Sequence, residues 1–361
     1  MIDLEPSEEQ QLIVDTVRQF AANEVRPAAR ECDESEKLPD DVLHRAHELG
    51  LVASGLPPEH GGGGERSAVT GVLVIEQLAW GDLAIALAAL SPSLVALPVA
   101  DFGSDAHKRR SLPAYTGERF MPGSLALVEP HFGADPTAPT TRARRQGADF
   151  VLDGHKCLVP WQDGGTELIV TASTDDGPRA FLLPRDAPGL VATPEHNMGI
   201  RALPTVELEL TGVHVPADAQ LGSDDTAVRM LLQRGRVALA AAAVGVARAA
   251  FEIARDYAKE RHAFGGPIAA KQAIAFKLAD MAIEIDGARL LAWEAAWRLD
   301  QGLDARREVA LAHRQAQRVA LEVADGAVQV LGGHGYIRDY LPELHLRNAR
   351  GFACFEALCL V

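Results

Sequence analysis

The sequence is short of cysteine, of basic charge and of the compact catalytic signatures that can be read locally. Its four cysteines, Cys32, Cys157, Cys354 and Cys359, are scattered and form no CxxC pair, which argues against a disulfide framework. With 35 Lys+Arg against 50 Asp+Glu the formal charge is −15, so repulsion disfavours nucleic acid and anionic membrane as partners. No GxxxxGK[ST] follows the glycine run 61–64, and that run reads as a flexible loop rather than a phosphate cradle. No GxSxG occurs, which removes a serine-hydrolase elbow. His44 and His47 lie three apart on a helix without a further ligand pattern; they read as surface histidines, and no metal is expected. The N-terminus is acidic and lacks the basic and apolar regions of a secretory signal, so the expected location is cytoplasmic. Pro92 and Pro98 interrupt the apolar stretch 83–100, and the stretch 237–247 falls short of the roughly 20 residues that a membrane span needs. Both read as buried helix, and no span is expected.

What is present is a chain of 361 residues, long enough for two or three domains of roughly 100–200 residues each. The acidity is uneven: residues 1–60 carry a net −9, 61–117 −1, 118–222 −6 and 223–361 +1. A bound polyanion is therefore expected against the last third.

Patterning divides the chain in the same way. Ser7 with Gln10 makes a capping box, and Leu12, Ile13, Val17, Phe20 and Val25 follow at helical spacing. Pro27, Pro39 and the run 57–64 read as breaks between helices. From about residue 118 the period changes. Thr205 to Leu210 alternates polar and apolar, and 149–154, 168–171 and 180–183 are short apolar runs, with a hairpin turn at Gln146-Gly147. After residue 223 helix returns: Ile274, Leu278, Met281, Ile285, Ala288, Leu291, Ala295 and Leu299 form one stripe, and Val319, Val323, Ala327 and Val330 another. The expected fold is mainly α with a small all-β domain: an N-terminal helical domain (1–117), a middle antiparallel barrel or sandwich (118–222) and a C-terminal four-helix bundle (223–361).

Three constellations carry candidate chemistry. Glu356 is the sole charged residue in 351–361; it is either a surface glutamate or a carboxylate whose apolar neighbours raise its pKa and make it a general base. Arg261, before Phe264-Gly265-Gly266-Pro267, either caps a helix against its dipole or holds a diphosphate through its planar fork. Leu331-Gly332-Gly333-His334-Gly335-Tyr336 lacks the strand of a dinucleotide fold; its glycines either end a helix or let backbone approach a ligand.

Taken together these residues resemble the acyl-CoA dehydrogenase family along nearly the whole chain. The markers run in order: 48–51, Pro57-Pro58-Glu59-His60-Gly61-Gly62, Glu76 to Gly81, Val128-Glu129-Pro130 with Gly133-Ala134-Asp135, Asn197 to Arg201, Arg261 with Phe264, Gly265 and Gln272, Gln329 to Tyr336, and Arg347-Asn348-Ala349-Arg350 before Phe355-Glu356. The resemblance implies an FAD-dependent oxidoreductase of fatty acid or lipid metabolism that introduces a double bond into an acyl thioester. Glu356 would remove the α-proton, the β-hydrogen would leave as hydride to the flavin, and Arg236 would lie beside the thioester, unless it is a buried structural arginine. It also implies an oligomer, a dimer or tetramer, and an electron-transfer partner. The acyl carrier is CoA or a carrier protein.

The sequence departs from the family where a subunit holds its own flavin. Val128 stands where a flavin-bonding threonine is usual, Ala134 replaces a serine, and Leu158-Val159-Pro160 replaces Trp-Ile-Thr or Trp-Ile-Ser. Ala357-Leu358 replaces Gly-Thr, and the chain stops five residues after Glu356 without the family's last helix. Arg261, Phe264, Gln272, Gln329, Gly332 and Gly333, which in the family reach the neighbouring subunit's flavin, are retained. The alternative expectation is thus a partner subunit of a hetero-oligomer that completes a neighbour's FAD site without binding its own.

Overall fold

The computed structural model describes residues 5–64 and 66–361. The expected capping box forms at the start of α1 (Glu8–Phe20), with Ser7 Oγ accepting from the Gln10 N–H and the Gln10 side chain returning to Ser7. Val17 and Phe20 are buried as the spacing predicts, whereas Leu12 is 69% exposed. Pro27 does not break the helix. A π turn at Ala21–Val25 widens the coil, and α2 (Arg26–Ser35) continues from it with the proline in its first turn, where its missing N–H costs little. Next come α3 (Asp40–Glu48), α4 (Ala68–Gly81), α5 (Leu83–Leu90), α6 (Ser93–Phe102) and α7 (Asp105–Thr116). Pro92 does separate α5 from α6, but Pro98 sits inside α6. The glycine run is not a loose loop either: the N–H groups of Gly62, Gly63 and Gly64 donate to Pro57, Ala53 and Leu56.

The middle of the chain forms an eight-stranded sheet from β1 (Ser124–Ala126), β2 (Arg142–Gln146), β3 (Asp149–Pro160), β4 (Glu167–Thr174), β5 (Gly177–Pro184), β6 (Leu190–Pro194), β7 (Thr205–Val215) and β8 (Gln220–Leu221). The order is β6-β7-β3-β2-β4-β5-β8. Most pairs are antiparallel, and β1 joins β4 in parallel. The turn at Gln146-Gly147 closes the β2–β3 hairpin, and the alternation at 205–210 buries Val206, Leu208 and Leu210 in the sheet core.

The C-terminal part packs α8 (Thr226–Glu260), α9 (Gln272–Asp300), α10 (Arg306–Leu331) and α11 (Pro342–Gly351). Alanine along α8 lets α4 and α10 approach, and Ala238 to Val244 are all buried. The stretches 83–102 and 226–260 are apolar and long enough to cross a membrane, but 94% and 78% of their most apolar windows are buried, so they are core helices.

Ion pairs fasten these parts together. Glu76 on α4 accepts from Arg248 on α8 and Arg289 on α9. Asp300 at the end of α9 accepts from the N–H groups of Ala68 and Val69, capping α4. Arg347 on α11 forks onto Asp33 of α2 at 2.8 and 2.6 Å and donates to the Met198 carbonyl at 3.0 Å. Asn348 accepts from the Ile200 N–H at 2.7 Å. The helix that precedes Glu356 is thereby tied to both the N-terminal helices and the 198–201 loop.

Candidate active site

Two candidates separated by 120 residues meet. Arg236, on α8, grips the Glu356 carboxylate bidentately, with Nε to Oε2 at 2.9 Å and an Nη to Oε1 at 2.7 Å. The sequence leaves Glu356 either a surface glutamate or a carboxylate among apolar neighbours. Instead both of its oxygens face a guanidinium, and the side chain is 16% exposed. The approach depends on Gly235: a Cβ there would lie 2.3 Å from the Cβ of Ala357. The hydrogen bonds that Arg236 donates to Glu356 raise the arginine's pKa against the opposing effect of burial, and the charges of Glu356 and Asp135 add to the rise. His313, buried on α10, faces the same pair. Burial pushes its pKa down to about 4, with Glu356 raising and Arg236 lowering it, so it is neutral at pH 7. The Gln317 amide lies 3.0 Å from its Nε2. Nothing in the sequence marked His313 except a polar residue on an otherwise apolar stripe.

In the sheet domain Val128 is half-buried, and its carbonyl accepts from the Cys157 N–H at 3.0 Å. Leu158 follows at φ +53, where the β3–β7 register shifts between Lys156 and Val159. Its N–H donates to both oxygens of Glu195 at 3.1 Å. At this position the backbone donor is committed to a carboxylate, and neither Val128 nor Leu158 brings a hydroxyl. Burial, followed by the charges of Glu195 and Glu207, pushes the Cys157 thiol up to about 12 and keeps it unreactive. Behind this strip a fully buried Lys156 donates to Glu129 Oε1 at 3.0 Å.

A second group gathers at the far end of the bundle. A cleft of about 590 Å³ is lined by Tyr257, Arg261, Ile268, Gly332, Gly333 and His334, among others. The Arg261 backbone N–H caps α8 by donating to Tyr257 at 2.8 Å, while its exposed guanidinium has no protein partner among the described residues. The α8 terminus is thus closed by the Arg261 backbone, and its side chain is left free. Gly332 adopts φ +59 and ψ −127, a region essentially reserved for glycine. A Cβ at Gly332 or Gly333 would meet nothing within 4 Å, so the cradle is open. Tyr257 Oη and His334 Nδ1 are 2.8 Å apart and brace its wall. An open glycine cradle beside a free guanidinium suits a diphosphate. Phe264, at φ +53 and 94% exposed, Gln272 at the start of α9 and Gln329 near the end of α10 all face outward. The structure does not bring them to Glu356.

Known proteins resemble this chain along nearly its whole length. Three family models match: acyl-CoA dehydrogenase N-terminal domain over residues 7–118, middle domain over 124–213 and C-terminal domain over 226–356. A probable acyl-CoA dehydrogenase of Bacillus subtilis is 37% identical, over 97% of this chain and 94% of its own length. Among solved structures, butyryl-CoA dehydrogenase of Megasphaera elsdenii superposes with a TM-score of 0.89 at 31% identity, covering 98% of this chain and 96% of that one. A glutaryl-CoA dehydrogenase of Mycobacterium smegmatis, in complex with FADH2, gives 0.88 at 30% identity, covering 97% and 91%.

Proposed function

The chain belongs to the acyl-CoA dehydrogenase family of flavoenzymes, whose members bind FAD, and from that premise we propose that it dehydrogenates an acyl-CoA between Cα and Cβ with Glu356 as the base. The observation that carries the reading is the fork of Arg236 on Glu356, which fixes a carboxylate in one orientation inside the bundle. Glu356 takes the proton α to the thioester carbonyl onto one of its oxygens. Arg236 then loses part of its counter-charge, and Asp135 continues to face the guanidinium. Neutral His313 adds no charge that would compete for the proton. The redox chemistry, acceptance of the β-hydride, is what FAD supplies when bound. Residues of this chain that suit the diphosphate part of FAD are Arg261, Gly332 and Gly333, while Phe264, Gln272 and Gln329 present an outward face to a neighbouring subunit. Phe276, Ile283 and Leu290, spaced by seven along α9, are 61%, 69% and 44% exposed and extend that face as an apolar stripe. Glu356→Gln should lower turnover in a dye-coupled assay by about 10²–10⁴-fold. Intact turnover in that variant would refute the assignment.

A second reading is favoured by a separate observation. The Leu158 N–H is already taken by Glu195, in a strip that also lacks hydroxyls, which weakens this chain's hold on the ring of its own flavin. On this reading the chain is one subunit of a hetero-oligomer and completes a partner's FAD site. The visible spectrum of the chain purified alone separates the two. A colourless chain that gains flavin and activity with a second subunit supports the partnership, and a stoichiometric yellow protein removes it.

A further inference from the structure

The cleft at the far end of the bundle holds one donor more than its glycines and Arg261 supply. Among the described residues that line it none is acidic, so its walls do not repel an anion. His334 lines it from the short 3₁₀ turn Gly332–Gly335. Glycines at both ends of the turn fix that placement. Gly332 holds φ +59, and a Cβ at Gly335 would lie 2.3 Å from the carbonyl oxygen of Val328, so the turn can lie against α10 only with glycine there. The half-buried His334 ring is held by two tyrosines, Tyr257 of α8 at 5.9 Å between centroids and Tyr340 at 5.4 Å. These two meet edge to face at 6.2 Å, and the Tyr340 carbonyl accepts from Arg30 at 2.8 Å. The orientation of the imidazole is therefore set by packing that does not depend on a ligand.

Nδ1 of His334 lies 2.8 Å from Tyr257 Oη, and its Nε2 has no partner among the described residues. A neutral imidazole carries hydrogen on one nitrogen and a lone pair on the other, and the two arrangements are unequal here. With the hydrogen on Nδ1, the tyrosine accepts, its own O–H has no acceptor among the described residues, and the lone pair on Nε2 repels a phosphate oxygen. With the tyrosine donating to Nδ1, that bond is complete and Nε2 is an N–H donor. We propose that His334 Nε2–H donates a hydrogen bond to the diphosphate, and that Tyr257 is the positioning residue that selects this tautomer. The proposal rests on the reading of the cleft as a seat for the FAD diphosphate. Arg261 brings charge to that seat on an exposed side chain, and His334 brings a donor of fixed direction, strengthened by the charge of its acceptor.

The test uses the complete flavin-loaded assembly and two readouts. Proton–nitrogen NMR of histidine-labelled protein, with His334→Gln identifying the resonance, should show His334 with hydrogen on Nε2 and none on Nδ1. The rate of FAD release, followed by ultrafiltration, should rise about ten- to a hundredfold in His334→Ala and by less in Tyr257→Phe, which keeps the ring packing. Glutamine places an amide NH₂ where histidine has Nε2 and needs no tautomer choice. His334→Gln should therefore keep release near the wild-type rate, and adding Tyr257→Phe to it should change nothing. If Tyr257→Phe speeds release equally in both backgrounds, the tyrosine is only structural and the proposal falls. A ring with hydrogen on Nδ1, neutral or as the cation, also overturns it. So does unchanged release in His334→Ala while Arg261→Gln loses flavin faster, a result that leaves the reading of the cleft standing. Unchanged release in both of those variants, or an assembly that takes up no flavin, overturns the reading of the cleft and the proposal with it.

Discussion

Lys156 and Glu129 are both buried and joined, yet removing one should harm the protein more than removing the other. The Lys156 ammonium is fully buried and has three acceptors: Glu129 Oε1 at 3.0 Å, the Leu127 carbonyl at 3.3 Å and Thr171 Oγ1 at 3.3 Å. Glu129 has other donors besides the lysine: Thr140 N–H at 2.7 Å, Thr140 Oγ1 at 2.6 Å and Thr141 N–H at 2.8 Å. Burial works against the carboxylate, but Lys156 and these hydrogen bonds outweigh it and hold its pKa far below the usual range. In Lys156→Met the carboxylate keeps the donors of Thr140 and Thr141 and the neighbouring His131 Nε2 at 3.2 Å, and the expected loss is about 1–3 kcal/mol. In Glu129→Gln a buried ammonium is left with neutral acceptors, and an amide NH₂ is forced towards a threonine N–H. The expected loss is about 3–5 kcal/mol. The double variant should be no worse than Glu129→Gln alone, because the stranded charge has gone. Urea unfolding midpoints of the three variants, analysed as a cycle, measure this directly. The consequence for the site is positional, since Glu129 anchors the 127–141 loop that carries Val128 and Asp135. If Lys156→Met proves as damaging as Glu129→Gln, the donor accounting is refuted.

Three further perturbations follow from the same structure. His345 is buried with neither ring nitrogen hydrogen-bonded, and burial, then Arg26 and Arg30, push its pKa down to about 3. Between pH 6.5 and 3 the unfolded chain binds a proton that the folded chain refuses, so stability is lost as pH falls through that window, at up to about 1.4 kcal/mol per pH unit. His345→Leu should therefore be neutral or stabilising at pH 7 and flatten the acid limb of a thermal-melting profile; a steeper limb would contradict this. Gly332→Ala meets no atom but is strained at φ +59, and should lose about 1–3 kcal/mol together with flavin retention measured by ultrafiltration. Arg236→Gln leaves Glu356 untethered and should lower kcat by about 10²-fold with folding intact by circular dichroism; unchanged kcat would show that the fork does not position the base.

Those features were legible in the sequence that depend on local rules. The alternation at 205–210 marked a strand because one face of the sheet is buried, and the Ser7–Gln10 pair marked a helix start because capping is a four-residue event. Pro27 misled because a π turn five residues long absorbs it, and spacing rules do not register a change of helical pitch. The glycines at 61–64 looked mobile because their hydrogen bonds to Pro57, Ala53 and Leu56 depend on how that loop folds back on itself. Glu356 could be singled out by its apolar neighbours, but its actual partner lies 120 positions away on α8. His313 and Glu195 were invisible for the same reason, since each acquires its role only through elements far apart in the chain.

The fastening of α11 has a mechanical consequence. Arg347 and Asn348 hold the 198–201 loop at one end of that helix, and Glu356 follows a few residues beyond it. The helix works as a short lever whose fulcrum is an interdomain joint and whose tip carries the carboxylate. A shift of Met198 or Ile200 acts directly on Arg347 and Asn348, and Glu356 is joined to them through residues 352–355. Residues around 200 are therefore where the placement of the Glu356 carboxylate is open to adjustment from outside the bundle.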